Sequence, residues 1–367
     1  MKIMHVLPTL TVGGAETLVA DYLIRLKTLG HDVAVLVYIQ TETAIYEKLK
    51  NHGIKIYCVS KKYNNVYDLV EKILRKVMKD VRYWNIIKRF NPDILHFHLH
   101  MYPKKSEMKK YKNIKLFYTF HSDIERYIRE YGEEWKRNIS ELSELGKLTT
   151  FALSYEMLEV AKKKISRKNV YYLPNGIDIV DARKHELDKS HFLKGINKEN
   201  SNPIIVHVGR LLGVKNHKKT FDIFKNVLIN KPDALLLIVG TGEAKYCKEL
   251  EEYVTKIGIK NNTVFLGFRT DINEILSVCD YGVLPSFYEG FPLTVLEYQA
   301  HGLRSVVSKA VPEEAICNKN CFRLDVDCSN DTWCKYLLGE FENKIEKDLM
   351  VFDSDRIIKA LLKYYNK

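Results

Sequence analysis

Short apolar runs alternate along this chain with longer stretches whose apolar positions recur every three or four residues. Lys2–Leu7 reads as a strand. Glu16–Leu29 reads as a helix, with Leu18, Val19, Tyr22, Leu23 and Leu26 on one face and Gly30 to end it. His31–Ile39 is a second strand, Thr43–Asn51 a helix and Ile54–Val59 a third strand. Val66, Leu69, Val70, Ile73, Leu74, Val77, Val81 and Trp84 keep helical spacing and predict one long helix over Val66–Phe90. Asn91-Pro92-Asp93 breaks it, and Ile94–Phe97 reads as a buried strand. Leu116–Phe120 is another, and short strands at Thr149–Ala152 and Val170–Leu173 flank a helix.

After Pro174-Asn175-Gly176 the pattern lapses, and Asp178 to Asn202 is polar and turn-rich. Then it restarts. Ile204–Val208, Ala234–Val239, Val264–Leu266, Tyr281–Leu284 and Ser305–Ser308 read as strands. The helices between them are expected at His217–Ile229, Ala244–Ile257, Asp271–Val278 and Leu293–His301. Two serial strand–helix runs predict an α/β protein of two doubly wound, Rossmann-like parallel-sheet domains. The expected division is 1–180, 181–350 and a last helix in 353–367. Ligands of such sheets sit at the C-terminal ends of the strands, so two such domains are expected to face across a cleft.

Composition narrows the class. Of 367 residues, 46% are hydrophobic and 28% charged, enough apolar surface for a packed core. No run approaches the ~20 apolar residues of a membrane-spanning helix. Met1–Val6 lacks the basic start and long apolar stretch of a secretory leader. The net charge of +12 is lopsided: residues 1–200 hold 36 Lys and Arg against 24 Asp and Glu, the rest 22 against 22. That asymmetry predicts an anionic partner for the first half, unless it is drift toward lysine. Seven cysteines include Cys317, Cys321, Cys328 and Cys334, whose spacing does not match paired zinc ligands. Reduced cytosolic thiols are expected.

Four strand-to-helix turns hold candidate chemistry. Gly13-Gly14 opens the first helix, where backbone N–H groups can approach a phosphate, though it is no G-x-G-x-x-G. Gly209-Arg210 ends a strand, with Lys215 five residues on. An Arg and a Lys there suit a diphosphate. Gly240-Thr241-Gly242-Glu243 leaves room for a ribose or base. In Pro285 to Glu297, Glu289 and Glu297 flank a helix start at which Pro292 suits the first turn. The N–H groups of Gly290 to Leu293 can hold an anion while the carboxylates grip hydroxyls.

With these residues in hand, the chain resembles the retaining nucleotide-sugar glycosyltransferases of family 4 (group 1), of the GT-B fold, over nearly its whole length. The resemblance runs through Gly13-Gly14-Ala15-Glu16, Thr119-Phe120-His121, Pro174-Asn175-Gly176-Ile177-Asp178, Gly209-Arg210 with Lys215, and Glu289 with Glu297 as E-x7-E. Lys215-Asn216-His217 and Tyr288 to Pro292 look like the branch that builds capsular and exopolysaccharides. The resemblance implies that Arg210 and Lys215 bind the donor diphosphate, that Glu297 takes the ribose hydroxyls and that Glu289 holds the transferred sugar. Gly240, Gly290, Phe291, Pro292 and Leu293 would line the donor, Gly14 would approach the phosphate, and His121 would lie at the reaction centre. Arg304, Lys309 and Ala244 depart from residues frequent in the family, which touches donor specificity. The resemblance also implies that a last helix, Asp355–Tyr365, crosses back to the first domain on Ile357, Ile358, Leu361, Leu362 and Tyr365.

Two features bear on an acceptor. Lys72, Arg75, Lys76, Lys79, Arg82, Lys88 and Arg89 lie in the long helix, and Met101 to Lys115 holds six Lys and one Glu. This basic surface, expected on the cleft side just after a strand end, fits anionic lipid headgroups. His96, His98 and His100 alternate and are expected on one strand face; a metal there, or at Asp325-Val326-Asp327 or Asp353-Ser354-Asp355, is not expected. The reading is a hexosyltransferase that moves a hexose or N-acetylhexosamine from an NDP-sugar, best a UDP-sugar, to a lipid-linked saccharide. It is expected in the cytoplasm, peripheral to the membrane, needing neither metal nor tightly bound cofactor and binding no nucleic acid. The rivals are a UDP-sugar 2-epimerase of the same architecture and a non-catalytic basic binding protein.

Overall fold

The computed structural model describes every residue except Val12, 61–68, His185 and Glu340, and gives only the backbone over 69–78. The expected helix start at Val66 and the side chains of Lys72, Arg75 and Lys76 lie outside the described residues. The chain divides into two compact units, one formed by Met1–Asn175 with Asp355–Lys367 and the other by Gly176–Ser354.

The first unit runs β1 (Lys2–Leu7), α1 (Gly14–Thr28), β2 (Asp32–Ile39), α2 (Ala44–Asn51), β3 (Lys55–Ser60), α3 (Leu69–Phe90) and β4 (Ile94–His98). It continues β5 (Lys115–Phe120), α4 (Ile124–Glu144), β6 (Leu148–Ala152), α5 (Tyr155–Lys164) and β7 (Val170–Tyr172). The seven strands are parallel, in the order β3-β2-β1-β4-β5-β6-β7. Their near-continuous apolar sequences suit a sheet covered on both faces; β1, for example, is buried from Ile3 to Leu7. Helix α4 has no counterpart in the sequence reading. Its apolar side is Tyr127, Trp135, Ile139 and Leu142, interrupted by Gly132 at φ 77°, so two helical pieces meet at a kink.

The second unit opens with two short helices where only polar turns were expected, α6 (Ile179–Ala182) and α7 (Lys189–Gly195). Asp178 and Asp188 cap them through backbone N–H groups. Then follow β8 (Ile204–Val208), α8 (His217–Asn230), β9 (Leu235–Val239), α9 (Ala244–Lys256), β10 (Thr263–Gly267), α10 (Ile272–Ser277) and β11 (Tyr281–Leu284). The unit closes with α11 (Leu293–Ala300), β12 (Arg304–Ser308), β13 (Cys321–Leu324) and α12 (Asn330–Leu338). Its six parallel strands lie in the order β10-β9-β8-β11-β12-β13. One face packs Phe221, Phe224, Leu236, Ile238, Phe322 and Trp333; the other packs Val206, Leu235, Leu237, Leu276 and Tyr298.

Helix α13 (Ser354–Asn366) ends the chain, and from Asp355 onward it belongs to the first unit. Tyr365 is wholly buried there, with its ring against Phe117, and Lys115 Nζ donates to its carbonyl at 3.1 Å. Asp355 pairs with Arg25 of α1 at 2.5 Å.

Candidate active site

A doubly wound sheet opens a crevice where the strand order reverses. These reversals fall between β1 and β4 in the first unit and between β8 and β11 in the second. Most of the predicted site residues follow those four strands.

In the second unit, Gly209 and Arg210 follow β8, and Glu289 follows β11. The β8 and β9 loops pack backbone to backbone: Gly209 N–H donates to Val239 O and Leu211 N–H to Thr241 O, both at 2.9 Å. Gly240 sits at φ 142°, and a Cβ there would overlap the Gly209 carbonyl. This close approach requires a glycine.

Lys215 reaches Glu289, with Nζ 2.7 and 2.9 Å from its two carboxylate oxygens. Ser286 Oγ donates to Glu289 Oε1 at 2.6 Å, and Ser308 Oγ donates to Ser286 O at 2.6 Å. The Glu289 side chain is 6% exposed and that of Lys215 21%. Asn216, in the left-handed region at φ 54°, turns the chain into α8 and donates through Nδ2 to Pro285 O. Thus the β8 and β11 loops are tied by an ion pair, by the Asn216 side-chain hydrogen bond and by Phe287 N–H donating to Val214 O at 2.9 Å. Arg210 is exposed and has no ion-pair partner among the described residues.

Helix α11 places Glu297. Val208 N–H donates to Tyr298 Oη at 3.0 Å, and Tyr298 Oη donates to Val206 O at 3.2 Å. Gly282 of β11 lies against the Tyr298 ring, which a Cβ would overlap. With Tyr298 so fixed, Glu297 is held on the next position of the same helix. Its carboxyl has no hydrogen-bond partner among the described residues, and burial pushes its pKa up to about 7. Pro292 is the residue capping α11 rather than part of its first turn, and Leu293 begins the helix. The Phe291 ring is buried against Phe352 at 5.2 Å between centroids, so it anchors the loop, and Gly290 is half-buried.

In the first unit, Gly14 begins α1 after β1, with open space where a Cβ would stand. His121 follows β5. Its Nε2 lies 2.8 Å from His98 Nδ1, and burial lowers its pKa to about 3. Sequence reasoning missed that His5 and Tyr365 join this group. His5 pairs in register with His96 across β1 and β4, so strand order was the signal required. His100 does not share the face of His96 and His98. Strand β4 ends at His98, and Leu99 at φ 58° turns the chain, leaving His100 exposed beside Tyr131. His5, His96 and His98 have ligand atoms within 4.8 Å of one another, the spacing of a metal cluster. Yet all six of their ring nitrogens already have hydrogen-bond partners, which leaves no lone pair aimed at a shared ion.

The basic segment also lies elsewhere than expected. Lys109, Lys112 and Lys115 line a groove of about 1290 Å³ with Lys147, Asn169 and Tyr171. These residues stand where β5, β6 and β7 begin, the end of the sheet opposite His121. The segment leaves the C-terminal end of β4 but must return to the N-terminal end of β5, because the strands are parallel. Lys105 pairs with Glu141 at 2.8 Å, and Lys110 lies 4.6 Å over the Trp84 ring. No described helix is long and apolar enough to cross a membrane.

Both units have counterparts among known proteins. Residues 12–181 match the model of Glycosyltransferase Family 4, and residues 188–322 that of Glycosyl transferases group 1. The UDP-Gal:alpha-D-GlcNAc-diphosphoundecaprenol alpha-1,3-galactosyltransferase of Escherichia coli is 33% identical over 162 residues, 40% of each chain. The N,N'-diacetylbacillosaminyl-diphospho-undecaprenol alpha-1,3-N-acetylgalactosaminyltransferase of Campylobacter jejuni is 31% identical over 199 residues, 51% of this chain and 50% of that one. The chain thus spans about half the length, or less, of these curated relatives. Among solved structures, Anabaena HepE in complex with UDP superposes with a TM-score of 0.75 at 18% identity, covering 100% of both chains.

Proposed function

The chain belongs to the group 1 and family 4 glycosyltransferases, and we propose that it moves a hexose or N-acetylhexosamine from a UDP-sugar to a lipid-linked saccharide, with retention, in the synthesis of a bacterial surface polysaccharide. The observation that carries this reading is the C-terminal end of the second sheet at its central strands β8 and β11. An exposed Arg210 and a Lys215–Glu289 pair follow those strands, and Glu297, whose carboxyl has no partner among the described residues, lies on α11 just beyond. Such a set matches the parts of a nucleotide-sugar: a diphosphate for the cations, hydroxyls for the carboxyls. The E. coli and C. jejuni relatives, named for diphosphoundecaprenol-linked acceptors, support the acceptor class. HepE, solved with UDP, supports the nucleotide.

In this reading, Arg210 and Lys215 stabilise charge developing on the departing diphosphate, with the N–H groups at the start of α11 as further donors. Lys215 is shared between Glu289 and the phosphate, so donor binding orders Glu289 against the sugar hydroxyls. Glu297 accepts from the ribose. His121 and Gly14 serve the reaction from the first unit. The diphosphate oxygen, on the face it leaves, takes the acceptor's proton, which accounts for retention without a side-chain nucleophile. The cations supply the positive charge a metal would otherwise bring. The lysine groove of the first unit holds the enzyme at the cytoplasmic face of an anionic membrane.

Titrating UDP, GDP and ADP into wild type and Glu297→Ala tests the assignment by calorimetry. UDP is expected to bind best. The variant is expected to lose about 10- to 150-fold in affinity, the worth of a charged hydrogen-bond acceptor, about 1.5–3 kcal/mol. Unchanged affinity in the variant overturns the ribose role, and no nucleotide binding by wild type overturns the donor.

A further inference from the structure

Six side chains form one hydrogen-bonded chain through the core of the first unit. Thr119 Oγ1 lies 2.7 Å from His96 Nε2, and His96 Nδ1 lies 2.6 Å from Tyr365 Oη. Tyr365 Oη lies 3.3 Å from His5 Nε2, and His5 Nδ1 lies 2.9 Å from His98 Nε2. His98 Nδ1 then meets His121 Nε2 at 2.8 Å. Thr119, His96, Tyr365, His5 and His98 are all at most 5% exposed. The rings stack closely, with centroids 4.3 Å apart for His96 and His98 and 5.0 Å for His5 and His98.

Burial lowers the pKa of all four imidazoles, so each is neutral and carries one N–H and one lone pair. This has a strict consequence. If Tyr365 donates to His96 Nδ1, His96 carries its proton on Nε2 and gives it to Thr119. Tyr365 Oη then accepts from His5 Nε2, His5 Nδ1 accepts from His98 Nε2, and His98 Nδ1 accepts from His121 Nε2. Every ring holds its proton on Nε2, and His121 Nδ1 is left as an acceptor. If Tyr365 donates to His5 instead, every proton moves to Nδ1, and His121 Nδ1 becomes a donor. A mixed arrangement either sets two protons or two lone pairs against each other, or has Tyr365 Oη accept from both rings and give its own O–H to neither, at a cost of about 1–3 kcal/mol in this buried contact.

We propose that Tyr365, from the C-terminal helix, is a positioning residue that fixes the protonated nitrogen of His121 through His5 and His98, so that the four rings share one tautomer. His121 stands at the C-terminal end of β5, where ligands of such sheets bind. Tyr365 makes no hydrogen bond to His121, and its hydroxyl decides whether that ring offers a ligand a donor or an acceptor. The inference goes beyond the glycosyltransfer reading and stands whether or not that reading holds.

The test is nitrogen-15 NMR of the imidazoles in the full chain, with signals assigned by single His→Gln variants. Wild type is expected to show all four rings in the same tautomer from pH 5.5 to 8. Tyr365→Phe, which keeps the ring and removes the hydroxyl, is expected to shift both His121 nitrogens toward the average of the two forms. A thermal melt establishes that this variant is folded. Different tautomers among the four wild-type rings overturn the proposal, as do His121 signals unchanged in folded Tyr365→Phe. If that variant does not fold, Thr119→Val and Thr119→Ser test the chain from its other end. Val, which removes the partner of His96 Nε2, is expected to shift the His121 signals, and Ser to keep them. Unmoved signals with Val, or equal shifts with both, overturn it.

Discussion

The two units carry the same kind of sheet with its reversal at equivalent strands, β1 and β4 in one and β8 and β11 in the other, but they furnish those strand ends oppositely. The first unit places neutral rings there, each satisfied by the next. The second places charges: an Arg210 and a Glu297 carboxyl that have no partner among the described residues, and a Lys215–Glu289 pair. A half-buried carboxyl without a partner costs free energy until something complements it, and an exposed guanidinium can meet an anion. A closed chain of neutral groups leaves only its last atom to act on. On the reading proposed above, the second unit grips an ionic ligand and the first presents one oriented polar group.

The sharpest way to break this contrast is to remove the charges. With a cognate donor, Arg210→Ala and Lys215→Ala are each expected to lower kcat by about 100-fold or more, by analogy with lost oxyanion donors. They should part in stability. Arg210 is exposed, so its loss leaves the melting temperature unchanged. Loss of Lys215 strands a Glu289 side chain only 6% exposed and lowers it, and Glu289→Gln on that background recovers part of the loss. From sequence alone both residues look like loop charges of little structural weight. Near-normal turnover in both variants would remove the ionic role of these strand ends.

A smaller effect separates the units by pH. Glu297 titrates near 7 in the fold against about 4.5 when unfolded, so the fold favours its neutral form. The sign follows: that contribution is fully present below pH 4.5 and is lost as pH rises through 7. Glu297→Gln, neutral throughout, is expected to match wild type near pH 4.5 and to exceed it at pH 8 by about 2 kcal/mol, read from urea midpoints. The imidazoles of the first unit are held neutral in the fold but protonate below about pH 6.5 when unfolded, so they add a slope of the opposite sign that is common to wild type and Glu297→Gln and cancels between them. Parallel pH profiles for variant and wild type would place Glu297 among ordinary exposed carboxylates.

The smallest effect concerns the basic groove. Each lysine near an anionic leaflet contributes about 1 kcal/mol, and salt screens it. The protein is expected to pellet with anionic vesicles at low salt and not with neutral ones. Lys109→Gln with Lys112→Gln should reduce pelleting and leave UDP affinity alone, because the groove belongs to the first unit. Equal pelleting with both kinds of vesicle would reduce the charge asymmetry to composition.

How much of this was legible in the sequence depended on the range of the signal. The strands other than β13 announced themselves because parallel strands covered on both faces are unbroken apolar runs, and the loops with Arg210, Lys215 and Glu289 followed from strand ends; β13, a short edge strand carrying Arg323, and α12 after it went unread. Helix α4 was legible and went unread: Ile124, Tyr127, Ile128, Tyr131, Trp135, Ile139 and Leu142 keep helical spacing on both sides of Gly132. Helices α6 and α7 were hidden because each is too short to show one. The rationale for Gly240 and Gly282 needs a neighbouring loop or ring. The histidine chain needs two things no local pattern holds: the adjacency of β1 and β4, and a tyrosine 269 residues from His96.

Helix α13 carries a consequence for how the protein is made. On a ribosome the first unit emerges first, yet its core has a vacancy until Ile357, Ile358, Leu361 and Tyr365, each at most 4% exposed, have been synthesised. Between Asn175 and Asp355 lies the whole second unit. At roughly 5–20 residues per second, translation spends on the order of 10–40 s on that interval. During that time the nascent first unit holds an open apolar seat and an imidazole chain that lacks its hydroxyl. The part of the chain born first is thus the part that matures last, and pulse-labelled nascent chains should acquire protease resistance in the second unit before the first.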